Sequence, residues 1–407
     1  PLTKPGLNSN LLLLNPALRL ASPERIMTLP PLSLYIHIPW CVRKCPYCDF
    51  NSHEAGSHIP EAEYINALLK DLEQDLHWVQ GRAIKSIFFG GGTPSLLSAH
   101  AYETLFTGLS EKLSFSSDIE ITLEANPGTF EADKFKAYRQ LGINRLSMGI
   151  QSFQPEHLKK LGRIHDRAQA LAAIETAINA GFSNFNLDLM HGLPDQTPEQ
   201  ALDDLNTALS FQPPHLSWYQ LTIEPNTEFY KRPPVLPEDD TLWDIQEQGQ
   251  ERLAHAGLRQ YEISAYSLPQ QQAKHNINYW RFGDYLGIGA GAHGKITSTG
   301  PQGLTILRTR KTRLPKDYLN SEKRFLAGQD RILPEDTALE CMMNALRLQE
   351  GIPVSDFEAR TGMTLDSIRA PLNKALSLGL IECSTDIRAS ERGQQYLNEL
   401  LALFLTD

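Results

Sequence analysis

Hydrophobic and polar positions follow two alternating rhythms along most of this chain. Short β-rich apolar runs occur at residues 34–38, 86–89, 119–123, 145–149, 185–189 and 216–221. Between them, residues 61–79, 102–113, 131–141 and 168–180 place apolar side chains at three- and four-residue steps, the signature of one buried helix face. Gly142 and Gly181 stand just past two of these segments as helix stops. Strand and helix signals that repeat six times predict a parallel sheet with helices outside it. An open doubly wound sheet and a partial (β/α) barrel both satisfy that pattern.

The rhythm changes near Pro334. Helical patterns at 335–348, 354–361 and 365–378 precede a short strand pair, 380–383 and 386–389, and a last helix, 393–405. Helix-turn-helix followed by a small wing predicts an α-rich, winged-helix-like module. The expected division is therefore 1–28, 29–240, 241–330 and 331–407, the third being an accessory segment. The first 26 residues carry no period, and the first methionine is Met27. We expect Met27 to be the natural start and the stretch upstream to be a disordered leader or not native. A transit peptide is the rival reading, weakened by few basic residues.

Composition narrows the partners. A chain of 407 residues has room for two or three domains with a large core. A formal net charge of −10 argues against a nucleic-acid or membrane-surface footprint, and the second helix of the C-terminal module is poor in basic residues. No apolar run nears the roughly 20 residues of a spanning helix; Leu11-Leu12-Leu13-Leu14 is far too short. Five cysteines without a disulfide framework point to a reducing cytoplasm.

Three of those cysteines carry the chemistry. Cys41, Cys45 and Cys48 are spaced Cys-x-x-x-Cys-x-x-Cys directly after the first strand. Three thiolates are one short of the four that close a cubane iron–sulfur cluster, so a cluster held there keeps one iron open. A zinc site would need a fourth ligand, for which His53 is the nearby candidate, and disulfide or packing roles are the remaining alternatives. Cys341 and Cys383 lie far away. Pro39, Trp40, Pro46 and Tyr47 stiffen the loop.

The other strands also end in distinctive groups. They are Gly90-Gly91-Gly92-Thr93-Pro94, then Glu124 to Pro127, Gln151-Ser152-Phe153, Asp188 with His191 to Pro194, and Gln220 with Glu224 to Asn226. Barrel strands bring their C-terminal ends to one face, which favours the barrel over the open sheet. The glycine run lets backbone approach a ligand with amides and carbonyls inward; a ligand-free turn is the alternative. It lacks the Lys of a phosphate loop.

The run from Tyr35 to Phe50 resembles the radical S-adenosylmethionine (SAM) superfamily, in its oxygen-independent coproporphyrinogen III oxidase-like group. The resemblance extends from Leu29 to the C-terminus. It implies an incomplete six-stranded barrel with a 4Fe-4S cluster on Cys41, Cys45 and Cys48, whose open iron is chelated by SAM. It also implies SAM contacts at Tyr35, Tyr47, Gly91, Gly92, Thr93, Glu124, Gln151, Arg163 and Asp188. Taken singly, each of these residues also reads as a cap, a solvated loop residue or half of a surface ion pair.

Two departures point away from the oxidases. The extra cysteine they carry two residues past the third is Phe50 here, and their extended N-terminal region is missing. Phe50 matches the haem-chaperone branch of the group. So does His275-Asn276-Ile277-Asn278-Tyr279-Trp280, which offers an axial haem ligand at His275 among aromatic side chains in a loop. A purely structural histidine is the alternative. The glycine-rich stretch from Gly287 to Gly294 reads as a close-approach loop near the site mouth.

The resemblance thus implies a haem chaperone that carries a 4Fe-4S cluster and binds SAM. The alternative is a radical enzyme, in which a 5′-deoxyadenosyl radical takes hydrogen from a porphyrinogen propionate and leads to decarboxylation. Implied partners are haem, acceptor haemoproteins (membrane proteins among them) and an electron donor such as a flavodoxin or ferredoxin. A homodimer is compatible with this reading, and nucleic acid is not among the partners.

Overall fold

Six consecutive strands carry the apolar runs of the first half. They are β1 (Leu32–Ile38), β2 (Ile84–Gly91), β3 (Phe115–Ala125), β4 (Arg145–Gln151), β5 (Phe185–His191) and β6 (His215–Gln220). In this computed structural model, which describes residues 29–129, 131–301 and 303–405, they lie side by side in chain order, and every pair is parallel. The leader expected over residues 1–28 lies outside the described residues.

Between the strands run α1 (Glu61–Asp75), α2 (Ala99–Lys112), α3 (Ala132–Gln140), α4 (Arg167–Asn179) and α5 (Pro198–Leu209). Local sequence explains their starts. Ser98 accepts the Ala101 amide ahead of α2, and Asp166 with Gln169 and Thr197 with Gln200 form capping boxes ahead of α4 and α5. Strands and helices share one core, to which β1 gives Leu32, Leu34, Ile36 and Ile38 and α1 gives Tyr64, Leu68 and Leu72. Parallel strands are buried on both faces. In β1 only Tyr35, and in β5 only Asp188, escapes full burial.

The expected partial barrel is present as the parallel half of a larger open sheet. After α6 (Asp239–His255), one edge is extended by β8 (Ala265–Ser267), antiparallel to β6, and outside it by β7 (Arg259–Glu262), antiparallel to β8. Past α7 (Lys274–Trp280) the chain returns to the opposite edge, where β9 (Asp284–Ile288) runs parallel to β1. Antiparallel β10 (His293–Gly300), β11 (Gly303–Lys311) and β12 (Leu326–Arg331) follow. The sheet holds 12 strands in the order β12-β11-β10-β9-β1-β2-β3-β4-β5-β6-β8-β7.

Two buried ion clusters fasten the β9–β11 edge. Lys311 Nζ meets Asp71 at 2.5 Å and Asp75 at 2.6 Å, and Tyr318 donates to Asp71 at 2.7 Å. Asp284 is held by Arg82 at 2.7 Å and Lys295 at 3.0 Å.

The C-terminal module consists of α8 (Pro334–Ala345), β13 (Ile352–Pro353), α9 (Val354–Thr361), α10 (Arg369–Ser377), β14 (Ile381–Cys383) and β15 (Asp386–Ala389). The wing is a three-stranded antiparallel sheet, one strand more than the expected pair. The expected last helix is broken into Glu391–Gln395 and Leu397–Ala402. Phe282 and Ile306 of the sheet edge join this module's core, and Arg308 pairs with Glu340 across the junction.

Candidate functional site

Cys41, Cys45 and Cys48 occupy the loop that leaves β1, and all three are half-buried and free. The loop is closed at its base. Trp40–Cys41 pairs with His53–Glu54, the His53 amide donates to Pro39 O at 2.7 Å, and the Ala55 amide donates to Cys41 O at 2.7 Å. Burial raises the thiol pKa of Cys41 and of Cys48.

Among the described residues no three His, Cys, Asp or Glu side chains gather around one ion. A single zinc needs all its ligands within about 2.3 Å of one centre. Thiolates on a cubane bind different irons, and three thiols on one short loop have the chemistry that such a cluster needs. His53 is engaged through Nε2 with Asn51 Oδ1 at 3.2 Å.

Arg163 reaches the loop from beyond β4. It donates to Cys45 Sγ at 3.5 Å and to Gly149 O at 2.7 Å, and its other terminal nitrogen contact is Asn126 Oδ1. Asn126 in turn donates to Thr93 Oγ1 at 2.9 Å. Tyr47 lies half-buried against Phe229, and burial raises its phenol pKa.

The glycine run differs from expectation in one respect: its amides are spent within the chain. Gly91 N–H donates to Glu124 Oε2 at 3.1 Å, Gly92 N–H to Ile38 O at 2.7 Å and Thr93 N–H to Trp40 O at 2.7 Å. Its glycines are required by the cysteine loop lying against them. A Cβ on Gly92 would stand 2.5 Å from Trp40 O, and one on Gly91 2.4 Å from the His37 ring, with Gly91 at φ +115° besides.

The remaining strand ends carry strain and buried charge. Gln151 holds φ +70° where β4 slips register against β5, and its Oε1 accepts from Tyr219 at 2.9 Å. Asp188 accepts from Ser147 and Asn186, each at 2.9 Å, and burial raises its carboxyl pKa. Burial, with Asp188 adding to it, pushes Glu124 up to about 8. Tyr35 donates to His37 Nδ1 at 2.9 Å, because His37 uses Nε2–H on Asn51 O at 2.9 Å.

His275 sits on the short helix α7, whereas a loop was expected. The helix is pinned by Asn278, which donates to Ser33 Oγ and Asp284 O, each at 2.9 Å. His275 Nδ1 lies 3.0 Å from Ser86 Oγ, and burial pushes the ring down to about 3, so it is neutral. Ser86 Oγ can accept from Nδ1–H while donating to Ser33 Oγ at 2.8 Å. Nε2 then keeps its lone pair, and among the described residues it has no hydrogen-bond partner. Phe88 packs on the ring at 5.1 Å.

One cavity of about 900 Å³ brings Tyr35, Gly91 and Glu124 together with His275, Tyr279 and Trp280. Gly291 and His293 also line it, so the glycine-rich stretch does lie at the site; a Cβ on Gly291 would meet Asn51 at 2.2 Å. Thr93 and Arg163 line a separate small crevice beside Cys45. Tyr47, Gly92, Gln151 and Asp188 are not among the residues lining either space. His37, Asn51 and Ser86 are structural partners of the site that sequence reasoning missed, since each acts through contacts that no local motif signals.

The Radical SAM superfamily profile matches residues 35–208, and the HemN C-terminal domain profile matches 332–396. The heme chaperone HemW of Escherichia coli K12 is 54% identical over 383 residues, which covers 94% of this chain and 100% of that protein. The chain belongs to the HemW family of radical SAM proteins. HemW of Haemophilus influenzae is 53% identical, over 93% of this chain and 99% of its own length. This HemW-family chain also shares its fold with the solved E. coli coproporphyrinogen III oxidase HemN. The TM-score is 0.78 at 24% identity, over 92% of this chain and 90% of the other. The expected family and the radical SAM fold are thus borne out, with the barrel open.

Proposed function

We propose that this chain is a haem chaperone, as its HemW relatives are named, which binds haem in the large cavity and hands it to acceptor haemoproteins. The observation that carries this reading is the neutral His275, held by Ser86 at Nδ1 with Nε2 unpartnered, in a cavity with Phe88, Tyr279 and Trp280. That is the form in which imidazole ligates iron. The aromatic walls suit a flat apolar macrocycle.

Cys41, Cys45 and Cys48 would hold the 4Fe-4S cluster, and Tyr35, Tyr47, the Gly91–Gly92–Thr93 turn, Glu124, Gln151, Arg163 and Asp188 would surround SAM. When bound, cluster and SAM supply one-electron chemistry at an open iron. The chain's own residues prepare that place. Arg163 sets a positive charge against Cys45, Glu124 keeps a carboxyl at the Gly91 turn, and the closed loop base fixes the thiol positions.

Residues 29–240 then carry the cluster and SAM, 241–330 the haem motif, and 331–407 a module seated against the sheet edge. A flavodoxin- or ferredoxin-like reductant and a reducing cytoplasm complete the reading. Among the described residues no helix is long and apolar enough to cross a membrane.

Anaerobic reconstitution followed by two assays on one sample tests this. Haem that binds stoichiometrically, passes to an apo-haemoprotein and is weakened by His275→Ala is the expected result. Conversion of coproporphyrinogen III to protoporphyrinogen IX with consumption of SAM would overturn it.

A further inference from the structure

We propose that Arg313, at the mouth of the large cavity, grips the carboxylates of the bound porphyrin, an inference that rests on the haem-binding reading above.

The cavity is divided by chemistry. Its walls are aromatic, with Phe88, Tyr279, Trp280 and Tyr285 beside His275, and its inner end holds Glu124. A macrocycle whose face lies against those rings must place its charged edge elsewhere, because a carboxylate buried without a partner loses its hydration with nothing to replace it. The β11 end of the cavity supplies the cations, Arg310, Lys311 and Arg313.

Two of these three are committed within the fold. Lys311 is fully buried between Asp71 and Asp75. Arg310 pairs with Asp330 and lies over Gly328, whose missing Cβ leaves space for the guanidinium. Arg313 differs. It is exposed, and its Nε donates to Asn51 Oδ1 at 3.1 Å. Among the described residues no acid pairs with it, and its terminal nitrogens meet no acceptor. Asp49 also lines the mouth and makes no ion pair with it.

Asn51 aims that guanidinium. Its Nδ2 donates to Ala290 O and to Arg313 O, each at 2.9 Å, while its own carbonyl accepts from His37. The cysteine loop, the Gly289–Gly291 turn and the Arg313 backbone are thereby tied at one point. An arginine fixed through Nε presents its two terminal nitrogens as a fork, the shape that binds a carboxylate bidentately. The local field agrees: after burial, Arg308, Arg310 and Arg313 all lower the pKa of His293 at the same mouth. Arg308 itself is occupied by Tyr285 and Glu340.

Soret titrations of the reconstituted protein with haem and with haem dimethyl ester, whose carboxylates are masked, test the proposal. The wild type is expected to bind haem about tenfold more tightly than the diester. Arg313→Ala is expected to weaken haem about tenfold and leave the diester unchanged, with Arg313→Lys between the two. A variant that binds haem as the wild type does, or that loses both ligands equally, would overturn the proposal while the haem-chaperone reading stands. A wild type that binds neither ligand would overturn both.

Discussion

Gly91 donates its backbone N–H to Glu124 Oε2 at 3.1 Å, so the glycine turn is built around a carboxyl rather than around empty space. That carboxyl is pushed up to about 8, first by burial and then by Asp188. Between the ordinary carboxyl range and pH 8 the folded chain keeps a proton that the unfolded chain has lost. Stability of the ligand-free protein therefore falls as pH rises through that window. Glu124→Gln is expected to remove that part of the slope, on the order of 1–3 kcal/mol after solvent screening. SAM carries a fixed sulfonium cation that an ionised Glu124 would favour, so its affinity should rise more steeply with pH toward 8 in the wild type than in the variant. Urea denaturation and calorimetric titration at pH 5.5 and 8 measure both; equal slopes in the two proteins would refute the assignment.

Arg163 is the only charged side chain among the described residues with a hydrogen bond to a candidate cluster thiol, Cys45 Sγ at 3.5 Å. A cation about 5 Å from the cluster favours the reduced form by roughly 3 kcal/mol at an effective dielectric of 20. Arg163→Ala is expected to lower the one-electron midpoint potential of the cluster by on the order of 130 mV, and Arg163→Lys by less. Redox titration followed by EPR checks this, with iron content per chain as the loading control. An unchanged potential in fully loaded Arg163→Ala would show that the contact is only structural.

The parallel half of the fold was legible because its strands are buried on both faces and read as short, mainly apolar β-rich runs, as Leu32–Ile38 and Phe185–His191 do. The antiparallel edge was not. Gly303–Lys311 mixes Thr305, Arg308 and Arg310 with Ile306 and Leu307, and its sense comes only from pairing with β10 and β12. The helix under His275 was hidden for a different reason. Asn276, Asn278, Tyr279 and Trp280 are weak helix formers, and the turn is held by the bonds of Asn278 to Ser33 and Asp284. The cysteine spacing was local and readable; Ser86, 189 positions away from His275 in sequence, was not.

Lys311 gives a stability test of the edge that shapes the cavity mouth. Its ammonium bridges Asp71 and Asp75, both buried, and Asp75 is pushed up to about 6 by burial despite that partner. Lys311→Met leaves two carboxyls without their cation, which costs about 3–5 kcal/mol in comparable buried pairs. The penalty should shrink as pH is lowered through 6, because protonation relieves the unpaired charge. Denaturant unfolding at pH 5 and pH 7.5 reads the difference. A loss below about 1 kcal/mol at pH 7.5 would show that the cluster is not holding the edge.

Tyr35 and His275 stand 6.5 Å apart, ring centre to ring centre, on the wall of one cavity. Tyr35, Gly91 and Glu124 belong to the proposed SAM surround and His275 to the proposed haem site, so the two ligands draw on the same space of about 900 Å³. Pockets for single ligands already span roughly 300–1,000 Å³, which leaves little room for a macrocycle and SAM at full contact. Each ligand should therefore weaken the other, and linkage requires the two factors to be equal. We expect saturating SAM to raise the haem Kd about fivefold or more, and haem to raise the SAM Kd by the same factor. Tyr35→Ala opens the wall between the two and should reduce the coupling while retaining haem binding through His275. Soret titration with and without SAM, and calorimetry of SAM with and without haem, give both factors. Independent affinities in the wild type would mean that the ligands occupy separate spaces.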